Sequence, residues 1–168
     1  MKIELTTITK EHLDTFLNLY NLYLYDLSEF TGEDSLDTGL YDLEDNHLYV
    51  ERDELHPFFI TYEGRNIGFV LVCAPPFVPK EVDFTIQEMF LLRKYRGMGI
   101  AKAVVERILE RFHGKIRVDQ LANNMAAVHF WKKYYREHLI QFTEREEKVV
   151  LGELEGLHTV ICQTFDND

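Results

Sequence analysis

The sequence predicts an α/β fold of the α+β kind, one domain in which helices pack on a mixed, mainly antiparallel sheet. Three observations lead there. Segments with strand and helix periodicity follow one another as strand, helical segment, three strands, helix, strand, helix and two strands. No repeat, low-complexity tract or Pro/Ser-rich linker divides the chain, so residues 1–168 read as one domain. A hydrophobic content of 46% with 13% aromatic residues, over 168 positions, suffices for one core and excludes a disordered tail.

Lys2 to Ile8 alternates apolar and polar residues, as a strand with one buried face does. Thr9 is placed to cap a helix whose apolar residues Leu13, Phe16, Leu17, Tyr20 and Leu24 recur at helical spacing. That helical segment extends, whole or broken, to about Phe30, and the acidic, turn-rich run Gly32 to Asp45 is a long loop. Phe58 to Tyr62 and Ile67 to Cys73 make a hairpin around Glu63-Gly64-Arg65-Asn66, ended by Pro75, Pro76 and Pro79. Val82 to Leu92 is the next strand. Ile100, Ala101, Val104, Val105, Ile108, Leu109 and Phe112 form one broad helix face, with a glycine C-cap expected at His113-Gly114. Lys115 to Leu121 is a short strand, and Asn124 caps a helix carrying Ala127, Phe130, Trp131 and Tyr134 on one side. Leu139 to Val150 and Leu157 to Phe165 close the chain as a strand pair joined through Gly152 and Gly156.

The formal net charge of -11 argues against general nucleic-acid binding, which needs basic surface to displace counterions from phosphate. Acidity keeps a protein soluble and also suits a cationic partner; solubility is the simpler account. Met1-Lys2-Ile3-Glu4-Leu5 lacks the apolar core of a signal peptide, and no apolar run approaches bilayer-spanning length. No membrane partner is expected, and the cytoplasm is the default compartment. Cys73 and Cys162 lie in apolar, strand-like runs and read as buried reduced thiols. The seven histidines are scattered, without a His-x-x-x-His pair, so no metal is expected, and His129 reads as exposed.

The stretch from Glu88 to Ala101 carries the chemistry. An apolar strand (Met89-Phe90-Leu91-Leu92) runs through the basic turn Arg93-Lys94-Tyr95-Arg96-Gly97-Met98-Gly99 into the helix at Ile100. Glycines let backbone N–H groups approach a ligand without a Cβ in the way, and a helix N-terminus adds unpaired N–H groups and the positive end of its dipole. Such a turn can cradle a pyrophosphate; it can also be only a tight turn with solvated basic residues.

Together with the element order, these residues resemble the GNAT N-acetyltransferase superfamily over nearly the whole chain. Arg96-Gly97-Met98-Gly99-Ile100-Ala101 fits its acyl-CoA pyrophosphate motif, R/Q-x-x-G-x-G/A, and Asn124 with Ala127 and Trp131 fits its second, an Asn, an Ala three on and an aromatic seven on. Glu-x-Phe-hydrophobic-Leu-Arg-Lys-Tyr-Arg with Phe130-Trp131 is similar to bacterial acetyltransferases without an assigned substrate. The resemblance implies a GNAT-like sheet of about seven strands flanked by helices on both faces. It also implies acetyl-CoA as co-substrate and direct attack of an amine on the thioester in a ternary complex.

By the same resemblance, the Leu91 N–H polarises the thioester carbonyl, and Leu91 and Leu92 pair with pantetheine as an added strand would. The N–H groups of Gly97, Met98, Gly99, Ile100, Ala101 and Lys102 hold the pyrophosphate, with Arg96 adding charge. Asn124 bonds the pantetheine arm or serves only as a helix cap, and Trp131 packs near the sulfur. Glu88 is the candidate general base, its alternative being an orienting charge. Many family members carry Tyr at the position of Trp131 to protonate the leaving thiolate; Tyr134, one turn on, can replace it or be plain core, and the thiolate can leave unaided. The acceptor, a small-molecule or peptide amine, would meet Tyr20, Tyr23 and Tyr25 near Asp26, Glu29, Glu33 and Asp34, or these are core tyrosines and a solvated acidic loop. A non-catalytic acyl-CoA-binding or sensor module with the same cleft is the alternative function. The sequence leaves a homodimer open.

Overall fold

In a computed structural model of the chain, which describes residues 2–152 and 154–168, the elements run β1 (Ile3–Thr7), α1 (Leu13–Thr31), β2 (Leu55–Tyr62), β3 (Arg65–Cys73), β4 (Phe84–Leu91), α2 (Ile100–Leu109), β5 (Gly114–Leu121), α3 (Met125–Glu137), β6 (Phe142–Val149) and β7 (His158–Asn167). The strands form one seven-stranded sheet in the order β1-β2-β3-β4-β5-β7-β6. Every pairing is antiparallel except β4 with β5. Element order and sheet type are those the sequence predicts.

Helices cover both faces. On one, Phe16 and Tyr20 of α1 pack against Phe59, Phe69, Leu71 and Phe90, with the Phe16 ring edge-on to Phe69 at 5.5 Å and Tyr20 stacked on it at 5.4 Å. On the other, Ile100, Val104, Val105 and Ile108 of α2 and Trp131, Tyr134 and Tyr135 of α3 close over Val70, Val72, Ile86 and Val118. Strand β3 sends Phe69 and Leu71 to the first core and Val70 and Val72 to the second. Burial on both faces is why it reads as a continuous apolar run.

Several local expectations are corrected. Thr9 makes no side-chain cap; a 3-10 turn over Lys10–His12 precedes α1, the Thr9 carbonyl accepts from His12 N–H at 3.0 Å, and the Thr9 hydroxyl meets the His12 ring Nδ1 at 3.4 Å instead of a backbone N–H. Helix α1 ends where expected and is unbroken, running to Thr31, where left-handed Gly32 (φ 75°) ends it and bonds back to the Ser28 carbonyl at 2.9 Å. Helix α2 stops at Leu109, not at His113-Gly114. Gly114 opens β5 instead, where a Cβ would lie 2.5 Å from the Asp83 carboxylate that accepts from Lys115 N–H. A 3-10 segment, Asn46–Val50, lies in a stretch for which the sequence shows no period. Strand β2 starts three residues early and includes Pro57. The Pro57 carbonyl, which accepts from Ile8 N–H at 2.9 Å, shows that this residue faces beyond the end of β1, where a missing N–H costs nothing.

Candidate active site

Strand β4 is built in two parts. Its first three residues pair with β5, Phe84 with Ile116, Thr85 with Arg117 and Ile86 with Val118, and there the ladder stops. Against β3, Val72 pairs with Ile86 but Leu71 with Glu88, so Gln87 is an extra, bulged residue. In an unbroken strand Ile86, Glu88 and Phe90 would share one face. The bulge resets the alternation: Ile86 joins the core under α2 and α3, while Phe90 joins the core under α1. Glu88 follows Phe90 to the α1 face, where the Tyr23 hydroxyl donates to its Oε2.

The splay leaves a free edge on β4. Leu92 N–H donates to the Ile67 carbonyl at 2.9 Å, which fixes the phase of the ladder with β3. The N–H groups of Leu91 and Met89 therefore point the other way, along the edge from which β5 has diverged. Between the two strands opens a cavity of about 390 Å³. Tyr23 and Leu27 of α1, Glu88 of β4, Gln120 of β5, and Asn124 and Trp131 of α3 line it, with Leu151 from the β6–β7 connection. Its lining thus draws on helices from both faces of the sheet.

Glu88 is half-buried among apolar and phenolic groups. Burial raises its pKa, the Tyr23 hydrogen bond opposes that, and the net is a carboxyl pushed up to about 7. The surrounding phenols move away from ionisation for the same reason: burial and the nearby Glu88 carboxylate raise Tyr20 and Tyr23 well above 10. Tyr49, from the 3-10 segment, rises likewise and lies 3.6 Å from Cys73 Sγ.

The glycine turn follows directly from Leu91 but lies outside the cavity lining. Gly97 (φ 74°) and Gly99 (φ 78°) both adopt left-handed backbone, with open space where a Cβ would stand. The first bond inside α2 runs from Ala103 N–H to the Gly99 carbonyl at 3.2 Å, so the N–H groups of Ile100, Ala101 and Lys102 precede the helical ladder. These features fit an anion. The basic side chains do not simply ring it: Arg93 donates to Asp26 at 2.7 Å, and Arg96 bonds both Asp26 and the Leu91 carbonyl, the latter at 2.8 Å.

Other expected site residues are placed as follows. Asn124 is a helix cap, its Oδ1 accepting from Ala127 N–H at 3.2 Å, and it also lines the cavity. Trp131 is buried and lines the cavity. Leu92 has no N–H to offer a ligand, and its carbonyl accepts from Tyr95 N–H at 2.9 Å, so its expected pairing with pantetheine is withdrawn. Tyr134 is not in the cavity lining: it is buried toward α2, stacked on the His138 ring at 4.0 Å, and burial and Glu106 push its pKa up to about 12. It is core. Asp26 cannot hold an amine while two arginines engage it; against its burial, their hydrogen bonds keep its carboxyl below the usual range. Glu29, Tyr25 and Asp34 are exposed. Glu33 is half-buried, and burial with Glu44 and Asp42 nearby raises its pKa. Gln120, Leu27, Asp42 and Glu44 carry no local sequence signal.

The sequence pattern of the acetyltransferase (GNAT) family matches residues 15–135. The chain belongs to this family. An acetyltransferase from Thermus thermophilus superposes with a TM-score of 0.67 at 14% identity, over 98% of this chain and 97% of that one. Spermidine N-acetyltransferase from Vibrio cholerae, solved with CoA and spermine, superposes with a TM-score of 0.64 at 17% identity, over 97% and 94%. The ribosomal-protein-S18-alanine N-acetyltransferase of Escherichia coli gives 0.63 at 13%, over 99% and 95%. A comparison with curated protein sequences finds no match. At these identities the superpositions establish the GNAT fold; family membership adds transfer of acyl groups. Among the described residues no helix is long and apolar enough to cross a membrane.

Proposed function

We propose that this GNAT protein transfers an acetyl group from acetyl-CoA to a primary amine by direct attack in a ternary complex. The observation that carries it is the cavity at the β4–β5 splay, which joins a free backbone edge to a carboxyl titrating near neutrality. The Leu91 N–H, on the free edge, is placed to donate to a thioester carbonyl and to the oxyanion that forms there. The N–H groups of the glycine turn and of the first turn of α2, from Gly97 to Lys102, hold the pyrophosphate, and Asn124 Nδ2, left over from capping, reaches the pantetheine arm. Trp131 supplies an apolar wall on the α3 side.

An attacking amine, with an ordinary pKa near ~10, arrives protonated and must lose its proton. Glu88 serves as base because burial has brought its pKa to about 7, close to working pH, where it is ionised yet still able to take a proton. The acceptor we favour is a cationic amine. Glu33, Asp42 and Glu44 gather on the loop after α1, and Glu44 lies against Gly152, the residue after cavity-lining Leu151. Two structural neighbours are acetyltransferases of spermidine and of a protein alanine. The indole at Trp131, where many relatives have a phenol, supports a second reading, an acyl-CoA-binding module without turnover.

The test is thiol release from acetyl-CoA with matched mono- and diamines, beside calorimetric binding of acetyl-CoA. Turnover with amines supports the proposal. Tight binding without turnover on any amine favours the second reading, and no binding of any CoA thioester sinks both.

A further inference from the structure

Glu88 faces protonatable groups from every element packed around it. Tyr20 and Tyr23 come from α1, Tyr49 from the 3-10 segment and Cys73 from β3. Asp119 of β5 lines the same cavity. Among the described residues, no Lys, Arg or His takes part in its shift: burial and the Tyr23 hydroxyl are the two causes. Among the described residues, the Tyr23 hydroxyl is thus the group that favours the carboxylate form of Glu88.

We propose that Tyr23 is a positioning residue for Glu88, holding Oε2 through its hydroxyl so that Oε1 is the oxygen presented to the incoming amine. The role rests on Glu88 acting as the base. Three features argue for it. The phenol ring is clamped, edge-on to Tyr20 at 5.4 Å and to Phe69 at 5.6 Å and tilted on Phe90 at 5.8 Å, so the hydroxyl has a fixed bearing. Tyr23 lines the cavity beside Glu88, so the pair is at the surface where an acceptor arrives. The phenol keeps its proton throughout the neutral range, so it is a permanent donor and not an acid catalyst. A bond from a permanent donor favours the charged carboxylate and opposes the burial that would hold Glu88 protonated. The bulge at Gln87 is what makes the contact: it turns Glu88 to the α1 face, where Tyr23 stands.

The role predicts a titration effect independent of any substrate. The Glu88 carboxyl carbon is followed by NMR on glutamate-labelled protein, assigned with Glu88→Gln. The wild-type midpoint lies near 7, and Tyr23→Phe moves it upward by about one unit, the size of one lost hydrogen bond. In turnover, Tyr23→Phe lowers kcat about tenfold at pH 6, converging on wild type above pH 9, with little change in KM for the amine. Tyr20→Phe, a ring in the same core whose hydroxyl does not bond Glu88, leaves the midpoint in place. If Tyr23→Phe does not fold, a ring-fluorinated tyrosine at position 23 keeps the shape, strengthens the donor and moves the midpoint downward. An unmoved midpoint in either Tyr23 variant overturns the proposal. A shifted midpoint in a protein that turns over no amine leaves the Tyr23–Glu88 pairing standing and removes Glu88 from catalysis.

Discussion

The two walls of the cleft differ in how they are made. The wall toward α2 and α3 is local: one strand edge and one helix cap, with the glycine turn just beyond the cavity lining, each set by a run of fewer than ten residues. The wall toward α1 is assembled from far apart. Tyr23 meets Glu88 across 65 positions, and next to this wall, outside the cavity lining, Asp26 meets Arg96 across 70. A local motif tolerates little change within itself and little dependence on the rest. An assembled one depends on packing, so its chemistry is tuned by neighbours that no motif names.

Changing glycines separates the walls most sharply. Gly99 has left-handed backbone and open space around it. Gly99→Glu should leave the fold within about 1–2 kcal/mol of wild type, while its side chain and charge block the anion site. Loss of the rise in melting temperature that acetyl-CoA gives wild type is the readout; a retained rise would remove the turn from the binding site. Gly68 in β3 is the opposite case. A Cβ there would lie 1.9 Å from the Phe90 carbonyl oxygen, which is backbone and cannot swing aside. Gly68→Ala should therefore destabilise the fold by about 3 kcal/mol, seen in denaturant unfolding, and disturb the β3–β4 ladder on which Glu88 rides.

Glu88 joins the two walls and yields the next largest effect. Glu88→Gln should lower turnover by roughly 10²-fold with acetyl-CoA affinity little changed, and the loss should shrink at high pH as free amine becomes populated. An equal loss at every pH would mark an orienting charge. The same variant has a stability signature of opposite sign. Folding raises the Glu88 pKa from 4.5 to about 7, so between those values the folded state keeps a proton that the unfolded chain has lost. Stability then falls as pH rises through this window, by at most about 3 kcal/mol in all. Glu88→Gln removes that cost: it should raise the melting temperature at pH 8 and not at pH 4. A lower melting temperature at pH 8 would show that the charge is well solvated.

How legible each wall was follows from the same contrast. The order of elements, the glycine turn and the Asn124 cap stand in the sequence because each depends on neighbours along the chain. Glu88 was singled out as a carboxylate among apolar residues, but its face was hidden, because the bulge at Gln87 exists only against Leu71 and Val72 of β3. Tyr134 resembled a cavity residue because it shares a helix side with Trp131, yet one helical turn carries it under α2. Gly114 had the look of a helix cap, and only the fold reveals Asp83 beside it. Asp26 is the plainest case. A carboxylate near tyrosines suggests an amine site, and nothing in the sequence pairs it with arginines some seventy positions away.

That last pairing sets the smallest and most discriminating prediction. Two acidic groups compete for the role of holding a distal positive charge on the acceptor: Asp26, already clasped by Arg93 and Arg96, and Glu33 with Asp42 and Glu44, which have mutual repulsion to relieve. A cationic ligand gains little beside a carboxylate that two guanidinium groups neutralise. It gains more beside a like-charged cluster, where its arrival also lowers repulsion. Glu33→Gln with Glu44→Gln should therefore lower kcat/KM for a diamine, relative to a matched monoamine, by about three- to tenfold. The effect should fade as salt rises and the Debye length drops below about 8 Å. Asp26→Asn should leave the diamine preference unchanged. It frees Arg96, next to the glycine turn, so it should tighten acetyl-CoA binding a few-fold at low salt while costing at most about 1 kcal/mol of stability. Loss of diamine preference in Asp26→Asn, with none in the double variant, would place the acceptor's distal charge at the arginine clasp and leave the loop a solvated surface.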